Sequence, residues 1–316
     1  MQATPYNHPS AYDVSKRPNQ YPWPETVAKF LAMVRQHEEA LVRTGTTTHT
    51  SDAVACGRNC NKGLIGGLKM LNIKNQPTLA QVQLKFQSHH ALRLSEGVVR
   101  SLNEPITHCT DEQLDALAKW KALLKNKSGT NLLQRLGEYD AGRSVQEREM
   151  EELMKIFAAI LFRITRADEM QLEFSWSNLD DGDLGFCYSP NVITRSCRIG
   201  MPRTKVDAHV NPTTANAYGF NGRAVDRLST LLHELVHAYL DLYGCRSCTS
   251  NIECVVQLDG HGRAWQLIAS AIERATGVYL GFPLSLCRFA AVRNNWACLT
   301  RWPTCKDVEE WGLVEG

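Results

Sequence analysis

The sequence lacks a long apolar run, a strong excess of charge of one sign and an apolar segment near its first residue. No apolar run approaches the roughly 20 residues of a membrane-spanning helix. The formal net charge is +2, so the chain as a whole offers no electrostatic case for nucleic-acid binding. The first residues carry neither the basic start nor the apolar stretch of a secretory signal. We therefore expect a globular, intracellular protein without a membrane segment.

Cysteine, by contrast, is abundant. The chain has 11 cysteines, an odd number that a fully paired set of disulfide bonds cannot accommodate. In an intracellular protein, cysteines are expected to be free thiols or metal ligands. The alternative is a secreted hydrolase, which would show disulfide bonds among the cysteines between residues 245 and 305.

The most informative segment is a helix-forming stretch that contains the motif H-E-x-x-H. Apolar residues recur through it at helical spacing, and Gly244 follows as a stop signal. Residues four apart lie on one face of an α-helix, so His233 and His237 can bind the same metal ion. The carboxylate of Glu234 can then act as a general base on a water molecule beside the metal. The motif is short, and a chance match on an ordinary amphipathic helix is the alternative.

A third ligand has to come from another part of the chain. His261 lies between two glycines, directly before a second predicted amphipathic helix. Glu253 and Glu273 are competing candidates, but neither has this glycine-framed setting. Three histidines would leave a fourth position on the metal open to water, which is the pattern of catalytic zinc sites. The sequence therefore predicts that Zn²⁺ is the cofactor.

Two segments together resemble the SprT-like metalloprotease family, which includes Spartan, a protease of DNA–protein crosslinks. They are residues 229–240, with the sequence STLLHELVHAYL, and residues 260–265, with the sequence GHGRAW. The resemblance extends over residues 146–289, under half of the chain. It implies a zinc ion bound by the three histidines, with Glu234 as the general base. It also implies a nuclear, DNA-linked role in proteolysis.

The chain departs from related patterns in several places. The continuation typical of metzincins is missing, because Leu240 and Tyr243 stand where that pattern has glycine and histidine. No C-terminal ribbon of two C-x2-C pairs follows the motif. Three cysteines lengthen the interval between the second and third histidines: Cys245, Cys248 and Cys254. These cysteines can form a second metal site, with Cys187 or Cys197 as a further ligand, and free buried thiols are the alternative.

The pattern around the motif predicts an α+β, zincin-like metalloprotease domain over residues 144–290. The expected elements are a core helix at 146–166, strands at 172–177, 184–188 and 196–201, and the two ligand-bearing helices. We expect a small antiparallel sheet with a hairpin turn at Asp180, Asp181 and Asp183. A calcium site at this turn is the alternative, but the closing glutamate is missing. In such domains an edge strand can hold a peptide substrate in extended form.

The remaining regions carry weaker signals. Residues 1–24 are predicted to be a disordered, Pro-rich arm. Residues 25–143 are predicted to be a helical N-terminal region of unknown role, and residues 291–316 a C-terminal extension. Helices in the N-terminal region are expected at 25–43, 111–125 and 132–136.

Two further groups of potential ligands are interpreted as structural. His89 and His90 are adjacent, so their rings diverge on a helix, and we expect a polar helix surface there. Cys56 and Cys60, with His49 nearby, are interpreted as solvated loop thiols, with a metal site as the alternative.

Basic residues near the predicted active site are the candidates for DNA contact: Arg195, Arg198, Arg203, Lys205 and Arg223. Exposed arginines on a sheet edge are more often simply solvated, so the nucleic-acid-binding residues stay unassigned. We expect a zinc metallopeptidase with a protein substrate, and the resemblance makes DNA-associated or crosslinked proteins the candidate targets. The rival is a non-catalytic, zinc-stabilised protein that binds DNA or a protein partner, with a metal site closed by a fourth protein ligand.

Overall fold

The structure, a computed structural model, describes residues 24–44, 84–125, 130–164, 171–177, 185–188, 194–204, 222–246, 260–295 and 302–313. Within them the fold is α+β and mostly helical. The helices are α1 (Val27–Arg43), α2 (Ala91–Asn103), α3 (Asp111–Leu124), α4 (Leu132–Leu136), α5 (Ala141–Ser144), α6 (Glu147–Phe162), α7 (Gly222–Tyr243), α8 (Arg263–Tyr279), α9 (Arg288–Asn295) and α10 (Cys305–Trp311). The strands are β1 (Gln171–Ser177), β2 (Phe186–Cys187) and β3 (Ser196–Pro202). The predicted helices at 25–43, 111–125, 132–136 and 146–166 and the two that flank the candidate site are confirmed within the described residues, with differences at their ends.

The sheet is mixed, so the expectation of a purely antiparallel sheet is wrong. The strand order is β1-β3-β2. β1 runs parallel to β3, with Leu172 opposite Cys197, and β2 runs antiparallel to β3, with Phe186 opposite Gly200. β1 and β2 do not pair, so the expected hairpin of these two strands is wrong. Residues 180–183, where its turn was expected, lie outside the described residues. β3 is the most buried of the three strands, and the central position covers both of its edges.

Helix α7, which carries the H-E-x-x-H motif, lies in the middle of the core. The side chains of Leu231, Leu232, Leu235 and Val236 are fully buried. The helix packs against β3, α4, α6 and α8. Burying one such side chain contributes about 1.5–3 kcal/mol to stability. This packing fixes the rotation of α7 and therefore the direction in which its polar residues project.

Helices of the N-terminal region share this core. α2 packs along α8, α3 packs against α6, and α4 packs against α7. Trp120 of α3 is buried, and its indole N–H donates a hydrogen bond of 3.0 Å to the carbonyl of Leu280. The buried side chains of all six helices form one continuous cluster. The core therefore extends across residue 144, the predicted start of the metalloprotease domain.

A second, smaller cluster joins the first helix to the last. Its buried members are Val27, Phe30, Val34, Val292, Val308, Trp311 and Leu313. They come from α1, α9, α10 and the second residue after α10. Because α10 also packs on α8, the C-terminal segment is connected to the main body of the protein.

Several expectations concern segments outside the described residues. These are the Pro-rich arm except for its last residue, the loop with His49, Cys56 and Cys60, and the cysteines at positions 248 and 254. Among the helices that the structure describes, none has the length and apolar character needed to span a membrane.

Candidate metal centre

The polar side of α7 presents two imidazole rings one turn apart. His233 and His237 are separated by four residues, and their Nε2 atoms lie 3.3 Å apart. Their ring centroids are 5.1 Å apart. The apolar packing on the opposite side of α7 holds both rings at one end of the core, as the spacing predicts.

The third predicted ligand joins this pair. Nε2 of His261 lies 3.2 Å from Nε2 of His237 and 2.8 Å from Nε2 of His233. Within the described part of the chain, these three side chains form the one group of histidine, cysteine and carboxylate residues close enough to hold a metal ion. The structure thus brings together the three residues that the sequence predicts as ligands.

Gly260 makes the approach of His261 to α7 possible. Its φ angle is +88°, a conformation that costs a residue with a side chain about 1–2 kcal/mol. A Cβ atom at this position would lie 3.0 Å from Cε1 of His237, which is closer than ordinary van der Waals contact. Gly262 follows as the N-cap of α8. Gly260, the first of the two glycines around His261, is therefore required by both conformation and space.

Trp265 forms the floor of the site. Its centroid lies 4.7 Å from the rings of His233 and His261 and 5.6 Å from the ring of His237. It is completely buried, so it limits the movement of all three rings. In the sequence Trp265 is recognisable only as the apolar start of a helix and as part of the family resemblance. Its contact with the histidines depends on how α7 and α8 pack together.

A backbone carbonyl orients His233. Nδ1 of His233 lies 2.9 Å from the carbonyl oxygen of Leu286. A carbonyl can only accept, so Nδ1 carries the proton and donates, and the lone pair of Nε2 points towards the other histidines. Burial, with a smaller contribution from His261, lowers the pKa of His233 to about 3. The ring is therefore neutral, which is the form that binds a metal.

Glu234 is buried beside the histidines. It is 6% exposed, and burial raises the pKa of its carboxyl group to about 8. It is not part of the ligand group, in agreement with a role other than metal binding. Gly185, which precedes β2, lies so close that a Cβ atom there would be 3.3 Å from Glu234 Oε1 and 2.7 Å from Thr230 Cγ2. The edge strand of the sheet therefore begins next to this carboxylate.

One rival third ligand, Glu273, does not displace His261. Glu273 is engaged elsewhere, because its carboxylate accepts hydrogen bonds from the backbone N–H of Leu286 at 2.7 Å and from Nε of Arg288 at 2.5 Å. Glu253 lies outside the described residues.

The described cysteines are free thiols: Cys109, Cys187, Cys197, Cys245, Cys287 and Cys305. The sulfur atoms of Cys187 and Cys197 lie 2.9 Å apart across β2 and β3. The hydrogen bond with Cys197 and burial raise the pKa of the Cys187 thiol well above its usual value. Cys245 is buried at the end of α7. The second metal site stays a prediction, since Cys248 and Cys254 are outside the described residues.

The basic residues proposed for DNA contact are mostly engaged within the fold. Arg198 pairs with Glu173 at 2.7 Å, and Arg203 pairs with Asp140 at 3.1 Å. Arg223 donates to the carbonyl of Gly137. Arg195 lies over the ring of Phe86, 5.8 Å from its centroid, and Lys205 is outside the described residues.

The adjacent histidines before α2 are buried, so their interpretation as a polar helix surface is wrong. His89 and His90 are 3% and 2% exposed. The segment that carries them bonds to the end of α7: the N–H of His89 donates to the carbonyl of Tyr243, and its carbonyl accepts from the N–H of Cys245. Nε2 of His89 accepts the backbone N–H of Lys85 at 2.8 Å. These main-chain contacts, which residue spacing does not reveal, place both side chains in buried positions.

The donor set fits a zinc ion. Zinc–nitrogen bonds of about 2.0–2.1 Å at tetrahedral angles would separate the ligand nitrogens by roughly 3.3 Å. The three observed separations are 3.3, 3.2 and 2.8 Å.

Comparisons with family models, curated proteins and solved structures each find no match for this chain.

Proposed function

We propose that the protein is a zinc-dependent metallopeptidase of the SprT-like type. The observation that carries the proposal is the convergence of three imidazoles, two from α7 and one from the segment directly before α8. Glu234, the residue that follows His233 in the sequence, is buried. The same residues carry the resemblance to SprT-like proteases in the sequence.

His233, His237 and His261 would hold the zinc ion. When bound, zinc supplies a Lewis acid that makes a water molecule more acidic and polarises a carbonyl group. Among the described residues the site has three protein ligands, which would leave one coordination position open, as in catalytic rather than structural sites. This open position favours the peptidase over a non-catalytic, zinc-stabilised binding protein.

Glu234 acts as the general base and then as the general acid. Its carboxylate accepts a proton from the attacking water and delivers that proton to the nitrogen of the leaving amine. The raised pKa caused by burial shows that its surroundings favour the protonated form. A nearby cation would favour the ionised carboxylate instead. The two opposing effects would let Glu234 act first as the ionised base and then as the protonated acid.

The substrate is proposed to bind along β2. This strand lies at the edge of the sheet and begins beside Glu234 through Gly185. An extended peptide can add to such an edge through main-chain hydrogen bonds. The scissile bond would then pass in front of the histidines.

DNA-associated or crosslinked proteins are the proposed targets, and nuclear action is proposed with them. The support is the sequence resemblance alone, because the described arginines are largely paired with acidic groups or carbonyls. Cleavage is therefore to be measured both with and without DNA.

The experiment compares cleavage of casein and histone by the wild type and by Glu234→Gln, with and without single-stranded DNA. We expect Glu234→Gln to retain zinc but to lose about 10²–10⁴-fold in rate, because removing a general base costs roughly that much. Asp241→Asn is the matched control: it makes the same change from carboxylate to amide on α7, at a residue paired with Arg246, and should keep wild-type activity.

Full activity of Glu234→Gln would remove this residue from its role. A wild type that binds zinc but cleaves neither substrate would favour the non-catalytic binding protein. Faster cleavage with DNA that disappears at high salt would support the DNA-linked role.

A further inference from the structure

We propose that Glu273 is a positioning residue for the metal centre, whose carboxylate holds Leu286 in place so that the carbonyl of Leu286 can orient His233. The inference rests on the proposed function, since it requires a metal ion at the histidines. It assigns a role to a residue that the sequence offers only as a rival ligand.

Leu286 connects the carboxylate to the imidazole. Its backbone N–H donates to Oε1 of Glu273 at 2.7 Å. Its carbonyl accepts from Nδ1 of His233 at 2.9 Å. Leu286 is 1% exposed, so water cannot easily replace either partner. The two hydrogen bonds are therefore made by one immobilised residue between α8 and α9.

The second oxygen of Glu273 fixes the same segment from its other side. Oε2 accepts from Nε of Arg288 at 2.5 Å, and the two side chains are 18% and 12% exposed. Arg288 also donates to the carbonyls of Trp311 and Gly312 at 2.5 and 3.4 Å. The carboxylate is thus bonded on both sides of residue 287, and Arg288 connects it to the end of α10.

The orientation of His233 determines how well it can bind a metal. A fixed Nδ1–H donor keeps the lone pair on Nε2, which is the atom that faces His237 and His261. Without Glu273, the N–H of Leu286 would be buried and unpaired, and the segment could shift to find another partner. His233 would then lose its hydrogen bond to the carbonyl of Leu286, or the preference for the proton to be on Nδ1. Changes to such outer hydrogen bonds typically weaken metal affinity about 10–100-fold.

Three variants of the full chain test this role. Glu273→Leu removes both hydrogen bonds at similar size, while Glu273→Gln keeps an oxygen that can accept from Leu286. Thr276→Val is the matched control: besides the bond that Thr276 Oγ1 donates within α8 to the backbone carbonyl of Glu273, it removes the 3.1 Å hydrogen bond that the N–H of Leu284 donates to Oγ1. That bond lies on the same helix and holds the same segment, but it does not involve the residue that bonds to His233.

Zinc affinity is measured by competition with a chromogenic chelator, and the tautomer of His233 by ¹⁵N NMR of the zinc-free chain. We expect about 10–100-fold weaker zinc binding in Glu273→Leu, with loss of the single Nδ1–H form of His233. Glu273→Gln should recover most of the affinity. Thr276→Val should lower the melting temperature but leave the affinity and the tautomer as in the wild type.

Wild-type zinc affinity in Glu273→Leu would overturn the inference. An equal loss of affinity in Thr276→Val would also overturn it, because the effect would then be general loosening of the segment. If the affinities change as expected but the wild type cleaves no peptide, the proposed peptidase fails while the positioning role stands. If the wild type binds no zinc, both fail.

Discussion

Two pairs of histidines have different surroundings: His89 and His90 are buried, whereas His233 and His237 are partly buried. Burial lowers the pKa of His89 to about 4 and that of His233 to about 3, so both rings are neutral at physiological pH. His89 uses Nε2 to accept a backbone N–H at 2.8 Å. His233 uses Nδ1 to donate to a carbonyl, and its Nε2 faces the Nε2 atoms of two other histidines.

A lowered pKa therefore does not distinguish a structural histidine from a candidate ligand, whereas convergence does. Three imidazole nitrogens within 2.8–3.3 Å of one another place several lone pairs close together. Not all three of these contacts can be hydrogen bonds, because a neutral ring has one proton to donate and His233 donates its proton to the carbonyl of Leu286. A cation between the nitrogens satisfies all three lone pairs at once.

The largest expected difference between the two pairs concerns zinc. His261→Ala removes one of three ligands and should weaken zinc binding at least about 100-fold, or about 2.7 kcal/mol, with loss of cleavage. His89→Gln should leave one zinc per chain, because His89 contributes no atom to the metal centre. Metal analysis after gel filtration distinguishes the two variants. Unchanged zinc content in His261→Ala would indicate another third ligand.

The next effect concerns the pH dependence of stability. The unfolded His89 has a pKa near 6.5, above its folded value of about 4, so the unfolded chain takes up the proton first as the pH falls. Its contribution is fully present above pH 6.5 and is lost progressively between pH 6.5 and about 4, by about 2–3 kcal/mol in total. Burial lowers the pKa of the neighbouring His90 as well.

Urea unfolding of the wild type and of His89→Gln at several pH values measures this contribution. The free energy of unfolding of His89→Gln should fall less steeply between pH 6.5 and 4. Parallel curves for the two proteins would contradict the assignment of His89 as a buried neutral group.

The smallest expected effect separates backbone strain from contact with the site. Gly260 and Gly281 both have φ near +90°, but only Gly260 lies against His237; a Cβ atom at Gly281 would meet nothing within 4 Å. Both alanine variants should lose about 1–2 kcal/mol of stability. Only Gly260→Ala should also weaken zinc binding, measured by chelator competition. Equal zinc affinity in the two variants would show that the contact with His237 is unimportant.

The sequence predicts the three converging histidines well because they lie in local patterns. The four-residue spacing places His233 and His237 on one face of a helix, and the glycines around His261 indicate a close approach of the backbone. The long helices were equally predictable, since their apolar periodicity extends over several turns. Local spacing and backbone freedom are properties that a sequence displays directly.

The features that were missed depend on contacts between distant segments. The pairing of β1 with β3 rather than β2 is a choice among strands that look alike in sequence. The burial of His89 follows from main-chain bonds to the end of α7. The roles of Trp265 and Leu286 arise from the packing of α7 against α8 and the segment after it. Leu286 shows no spacing in the sequence that would connect it to the histidines.

X-ray absorption at the zinc edge of the purified, zinc-loaded chain examines the proposed metal centre itself. The account predicts three imidazole nitrogens and one oxygen at about 2.0–2.1 Å, with one imidazole fewer in His261→Ala. A shell with sulfur ligands, or with four protein ligands and no oxygen, would contradict it.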